Sequence, residues 1–279
     1  MERALREIDV FASGPLTGNP LAVVHDGSGL DTAAMQRFAS WTNFSETTFL
    51  VPPTEPGADY AVRIFTPGSE LPFAGHPTLG SCHAWLEAGG TPSNPETIVQ
   101  QCGVGLVTLR RTAGGLAFAA PPLIRSGPVD DAARDLVRRV LRLDDADIVD
   151  LAWIDNGPGW VGVLLSDAEA VLALEPDPVA AERYDIGVAG LHDDGGPADL
   201  EVRAFFREGA APVEDPVTGS LNASVAQWLL GAGRLRAPFT ARQGTAVGRD
   251  GRVSVEVDDD GTIWVGGAST TVAVGTVHL

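Results

Sequence analysis

Basic residues are scarce in this chain: 19 Lys and Arg stand against 37 Asp and Glu in 279 residues, a formal charge of -18. Such a field repels phosphate backbones and anionic lipid surfaces, which argues against nucleic acid as a partner. It also disfavours anionic small molecules at long range, so a carboxylate-binding site here must work through local backbone dipoles. Cysteine is nearly missing. Cys82 and Cys102 form no CxxC pair and have no histidine set at ligand spacing, so neither a disulfide framework nor a zinc site is indicated, and two buried reduced thiols are expected. No stretch approaches the ~20 uninterrupted apolar residues of a membrane-spanning helix, and MERALREIDVF at the start lacks a long apolar run. The expected compartment is the cytoplasm. Neither G-x-S-x-G, nor G-x-G-x-x-G after a strand, nor a Walker-type GK[ST] occurs, and His25, His83, His192 and His278 make no i, i+4 pair. Hydrolase, nucleotide and metal chemistry find little support, and no cofactor is implied.

What is present describes a globular enzyme-sized chain. A hydrophobic content of 44% over this length buries a full core in one large or two medium domains. Frequent glycine and proline, with valine-rich runs such as VGVLL, point to many short strands joined by tight turns. The fold class expected is α+β, with strands dominating.

The chain also resembles itself. PFAGHPTLGSCHAWLEAG, residues 72–89, lies without gaps on PVTGSLNASVAQWLLGAG, residues 216–233, matching Pro72 to Pro216, Gly75 to Gly219 and Gly89 to Gly233. In each, a loop leads to a Gly, then a polar residue (His76 or Ser220), then a helical stretch closed by Gly. Downstream, QCGVGLVTL and QGTAVGRDGRVSV each read as a turn feeding an alternating strand, while upstream IDVFASGPLTGNPLAVV and AWIDNGPGWVGVLL are both strand, Gly/Pro loop, strand. The repeat suggests two similar domains facing each other across a cleft, with two helix N-termini aimed into it. Their unbonded first-turn amides would cradle a carboxylate or a developing oxyanion; ordinary turn glycines are the alternative. PPLIRSGPVDD marks the passage between halves, giving domains of 1–122, completed by the last strand at about 270–279, and 123–269.

Three polar residues stand where chemistry could occur. Glu46, in WTNFSETTFLV, sits at a helix-to-strand corner flanked by apolar side chains, a setting that suits proton shuttling; a solvated turn or a capping partnership with Ser45 is the commoner use of such a residue. His76 precedes Pro77 at the start of the first repeat helix, where the dipole favours neutral imidazole; it could serve the site or cap the helix. Asp215, in EDPVTGS, precedes Ser220 on the loop into the second repeat helix, and Glu214 and Glu70 read as carboxylates that fix the two loops.

DVFASGPLTGNPLAVV, NFSETTF, RIFTPGSELPFAGHPTLG, DNGP and EDPVTGS, in that order over nearly the whole chain, resemble the PhzF-like isomerases of phenazine biosynthesis. The resemblance implies the diaminopimelate epimerase-like fold: two similar domains, each a curved, mostly antiparallel sheet wrapped around a central helix, with the active site in the interdomain cleft. It puts the family's proton-shuttling glutamate on Glu46, its histidine and aspartate on His76 and Asp215, and its substrate-contacting serine on Ser220. It further implies that amides around Gly75, His76, Gly219 and Ser220 hold a substrate carboxylate, with Asn19 shaping the cleft. Epimerase relatives carry cysteine bases where this chain has Ala74 and Thr218, which disfavours two-base racemisation. The implied activity is a cofactor- and metal-free proton-shift isomerisation of a small carboxylate-bearing substrate, such as trans-2,3-dihydro-3-hydroxyanthranilate, by a homodimer. The alternatives are a metabolite-binding or catalytically silent relative and an amino-acid epimerase. The second cradle reads EDPVTGSLNAS here, where the phenazine enzymes read EDAATGSAAG, so Leu221 and Asn222 would line the pocket differently.

Overall fold

The computed structural model describes residues 1–177, 184–208 and 211–279. The chain divides into two compact units, Met1–Ala119 with Gly266–Leu279, and Ala120–Val265.

In the first unit, β1 (Glu2–Val10) pairs antiparallel with β2 (Asn19–Val24), and β2 runs parallel to β3 (Glu46–Val51). Parallel neighbours require a crossover, here α1 (Thr32–Thr42). Asp31 caps α1 by accepting from the Ala34 N–H, and Asn43 ends it in the left-handed region at φ 57°, so the chain turns into β3 within three residues. Next, β4 (Tyr60–Phe65) pairs antiparallel with β3 and with the two-residue β5 (Glu70–Leu71). α2 (Gly75–Glu87) then leads to β6 (Thr97–Cys102), which is parallel to β4, and β7 (Gly105–Thr112) and β8 (Gly115–Ala119) follow as an antiparallel meander. The last strand of the chain, Ser269–His278, pairs with β1.

The second unit repeats this connectivity. After β9 (Arg125–Pro128) and α3 (Asp131–Leu141), β10 (Asp150–Asp155) pairs antiparallel with β11 (Val161–Leu164), which is parallel to β12 (Asp185–Leu191). The crossover contains α4 (Ala168–Leu172). β13 (Leu200–Glu208) is antiparallel to β12 and to β14 (Ala211–Asp215), α5 (Gly219–Gly231) follows, and β15 (Phe239–Gln243) is parallel to β13 and antiparallel to β16 (Gly251–Val257). β17 (Ile263–Gly267) and β18 (Ser269–His278) complete the chain. β9 lies against β10 as β18 lies against β1, so each sheet extends by one strand on the same side. The faint sequence repeat is therefore a repeat of topology, strand for strand.

Each unit wraps its sheet around one helix. α2 is buried without a break from Gly75 to Cys82 and packs on β1, β2, β3 and β8, as a helix enclosed on all sides must. Gly80 marks the closest approach: a Cβ there would lie 2.5 Å from Leu21 Cδ2 and 2.9 Å from Val10 Cγ2. α5 is buried from Gly219 to Ala226, and its Leu221 fills the space left by Gly187 on β12, where a Cβ would sit 2.1 Å from Leu221 Cδ1. α1 and α3 instead bury one face each, α1 through Met35 and Phe38 on Phe49 and Phe65, α3 through Val137, Val140 and Leu141 on Val161 and Val163. Cys82 is buried, and desolvation pushes its thiol up to about 12. Cys102 corrects the expectation of two buried thiols. It is only partly covered, because it closes β6 at the tight surface turn into β7, opposite Gly105. Among the described residues no helix is long and apolar enough to cross a membrane.

Candidate active site

Glu46 is the first residue of β3, level with Leu21 on β2. Its side chain is 14% exposed, and Oε2 stands 3.3 Å from His76 Nε2, on an imidazole 4% exposed. The solvated-turn reading of Glu46 is thus excluded. His76 is the second residue of α2 and not its cap; Ala74 holds the cap position and has no side chain to bond the first turn. Burial is the main cause that lowers the His76 pKa, from 6.5 to about 3, against a smaller opposing effect from a hydrogen bond to the Pro20 backbone. The ring is neutral at physiological pH.

Nε2 is the ring nitrogen that faces Glu46, and Nδ1 faces the Gly18-Asn19-Pro20 run. The Asn19 amide nitrogen lies 3.3 Å from Nδ1 and is fully buried. The Gly18-Asn19-Pro20 run is shaped for this. Asp9, buried, accepts from the N–H groups of Thr17 at 3.0 Å and Gly18 at 2.9 Å, pinning the loop onto the end of β1. At Gly18 a Cβ would lie 2.1 Å from the Val10 carbonyl oxygen, so only glycine fits.

In the second unit the opening of α5 is held by a buried polar network. Thr218, at the cap position, turns its hydroxyl away from the helix and donates to Asp215 Oδ2 at 2.5 Å. Gln243, fully buried at the end of β15, donates to the Asp215 carbonyl at 3.0 Å and the Thr218 hydroxyl at 2.9 Å. Its Oε1 accepts from the Thr218 N–H at 3.0 Å and from Asn222 at 2.8 Å. Ser220 Oγ accepts from Trp160 Nε1 at 3.2 Å, and its carbonyl accepts from Asn156 at 2.9 Å, so the DNGP segment grips the helix start. The first unit uses a glutamine similarly: Gln100 accepts from Tyr60 at 2.8 Å and donates to Thr78 in the first turn of α2 at 3.0 Å.

Neither helix is capped by its own N-cap side chain, so the first-turn amides at Gly75 and His76, and at Gly219 and Ser220, lie at the positive ends of two buried helices. The structure brings Glu46, His76 and Asn19 together in one unit and Asp215, Gly219 and Ser220 together in the other. Sequence reading had passed over Asp9, Asn156, Trp160, Thr218 as a partner of Asp215, and Gln243. A lone glutamine ending a strand carries no local signal. Two cavities of about 480 and 510 Å³ occur in the first unit, lined by Arg63, Glu70 and Cys102 and by His83, Glu87 and Arg111, and neither is lined by Glu46 or His76. Buried chemistry outweighs volume in choosing the site.

Two units of one connectivity, each a sheet around a buried helix with an uncapped start, are the diaminopimelate epimerase-like fold. The model of the phenazine biosynthesis-like protein family, PhzC-PhzF, matches residues 8–275. Antisense-enhancing sequence 1 of Schizosaccharomyces pombe is 36% identical, covering 98% of each chain, and the trans-2,3-dihydro-3-hydroxyanthranilate isomerase of Pseudomonas fluorescens is 33% identical, also covering 98% of each. The crystal structure of a PhzF-family phenazine biosynthesis protein from Enterococcus faecalis superposes with a TM-score of 0.79 at 26% identity, over 100% of both chains. The chain belongs to the PhzC-PhzF family and is an isomerase.

Proposed function

We propose that this isomerase moves a proton between two carbons of a small carboxylate-bearing substrate, with Glu46 as the only acid/base and no cofactor. The observation that carries the reading is the Glu46–His76 contact at 3.3 Å, in which a largely buried carboxyl group meets a buried neutral imidazole. A carboxyl group shielded from bulk water beside an uncharged ring is suited to take a proton from one carbon and return the same proton to another. The first-turn amides around Gly75, His76, Gly219 and Ser220 bind the substrate carboxylate and stabilise the charge that spreads toward it when the proton leaves. Asp215 and Ser220 orient the substrate's amino or hydroxyl group, and Asn19 shapes the pocket by holding His76. The two-base alternative finds no base at Ala74, and the Thr218 hydroxyl is committed to Asp215. trans-2,3-Dihydro-3-hydroxyanthranilate is the first substrate to try, and the same reading carries a cytoplasmic homodimer.

The test is incubation with this substrate in deuterated water, following product and carbon-bound deuterium by NMR. Wild type isomerises and incorporates deuterium, whereas Glu46→Gln binds but loses about two to four orders of magnitude in turnover. Near-native turnover by Glu46→Gln refutes the assignment of the base.

A further inference from the structure

In both units one arginine stands at a fork in the sheet. β4 pairs with β6 through Tyr60 and Ala61, then with β5 through Ile64 and Phe65; the change of neighbour falls at Val62 and Arg63. β13 pairs with β15 through Leu200, Glu201 and Val202, then with β14 from Ala204 onward; the change falls at Arg203. At each fork the arginine lies over the phenylalanine two residues on, Arg63 at 5.2 Å from the Phe65 ring and Arg203 at 4.8 Å from that of Phe205. Each then grips, with two parallel hydrogen bonds, the glutamate paired with that phenylalanine. Arg63 Nε and Nη2 donate to Glu70 at 2.7 and 2.6 Å, and Arg203 Nε and Nη2 donate to Glu214 at 2.9 and 2.8 Å. A third tie reaches the crossover segment: Arg63 to the Thr32 hydroxyl that opens α1 at 2.8 Å, and Arg203 to the Val171 and Leu174 carbonyls of the α4 turn at 3.1 and 2.8 Å.

Each helix start lies five positions after its gripped glutamate, Gly75 after Glu70 and Gly219 after Glu214. We infer that Arg63–Glu70 and Arg203–Glu214 are matched clamps that position the opening turns of α2 and α5, with Arg203 and Glu214 as positioning residues for the amides and for Asp215. Duplication argues for this role, since the pair recurs at the same fork although the loops between arginine and glutamate differ in length. The second clamp is the more buried: Arg203 and Glu214 side chains are 5% and 15% exposed, Arg63 and Glu70 28% and 37%. Asp215, next to Glu214, is paired with Ala204, next to Arg203, so slack in the clamp moves the carboxylate directly. A lysine keeps the charge but replaces the planar fork by a single point of contact.

The functional part of this inference rests on the proposed activity, so the experiment has one readout that does not. Amide hydrogen exchange is compared in wild type, Arg203→Lys, Arg203→Met and Glu214→Gln, with thermal unfolding in parallel. Loss of the clamp speeds exchange over residues 213–222 by about tenfold or more in Arg203→Lys, while β16 and α3 exchange as in wild type. With trans-2,3-dihydro-3-hydroxyanthranilate, kcat/KM falls by about tenfold or more through both a higher KM and a lower kcat, because the amides hold the carboxylate and stabilise the charge that spreads toward it. Exchange in Arg203→Lys equal to wild type overturns the inference, as does acceleration spread evenly over the whole unit, the mark of a merely structural pair. Should Arg203→Met fail to fold, Arg203→Lys and Glu214→Gln carry the comparison. Activity surviving in Glu46→Gln would sink the proposed reaction and leave the exchange result standing.

Discussion

The buried neutral imidazole of His76 ties stability to pH, with a sign and size fixed by the structure. Its pKa is about 3 folded, against 6.5 for an exposed ring, so between these values the unfolded chain binds a proton that the native one refuses. The contribution is fully present above pH 6.5 and is lost as pH falls from there toward 3. Each unit of pH in that window costs about 1.4 kcal/mol, so some 2 kcal/mol is gone at pH 5 and about 3 at pH 4. Other groups titrate in the same range, notably the half-buried His25, lowered to about 4 by burial and then by Arg6. The measurement is therefore a difference: urea unfolding of wild type and His76→Gln at pH 7, 6, 5 and 4. Wild type is the more stable at pH 7, and its margin shrinks by about 2 kcal/mol by pH 5, since the variant has nothing to titrate at this position. Parallel pH curves for the two proteins would show that His76 is not buried neutral, and the account of its contact with Glu46 would fall with it.

Two more substitutions test the scaffold behind the site. Gln243→Leu removes a fully buried amide that bonds Asp215, Thr218 and Asn222, orphaning several polar groups; a loss of about 3 kcal/mol or more in urea unfolding follows, and a loss under 1 would contradict the network. Gly18→Ala places a methyl 2.1 Å from the Val10 carbonyl oxygen and must shift the backbone, costing about 1–3 kcal/mol and displacing Asn19 and Pro20 from His76; unchanged stability together with an unchanged His76 imidazole NMR signal would refute the packing argument.

How far the sequence could be read depended on whether its signals were local. Helices α2 and α5 are legible because a Pro- and Gly-containing loop, a start and a closing glycine fall within eighteen residues twice over. α1 and α3 carry local start signals as well, Asp31 and Asp130, whose side chains accept from the Ala34 and Ala133 amides. Glu70 and Glu214 were legible as loop-fixing carboxylates, but their partners were not, since Arg63 and Arg203 lie seven and eleven residues earlier and meet them only through strand pairing. Glu46 was ambiguous for the same reason: its neighbour His76 is thirty positions away, and desolvation is a property of the packed state. Cys102 was misjudged because cysteine's usual burial is an average, and a turn overrides it.

The missing caps at Ala74 and Thr218 bear on how this protein could be engineered. A chain optimised only to stay folded would carry Ser, Asp or Asn there, each worth about 1 kcal/mol over alanine. Any designer's algorithm scoring helix ends will suggest Ala74→Ser or Ala74→Asp as an easy stabilising change. On the proposed reading, such a variant fills the mouth of α2 with an acceptor of its own and loses substrate affinity as it gains melting temperature.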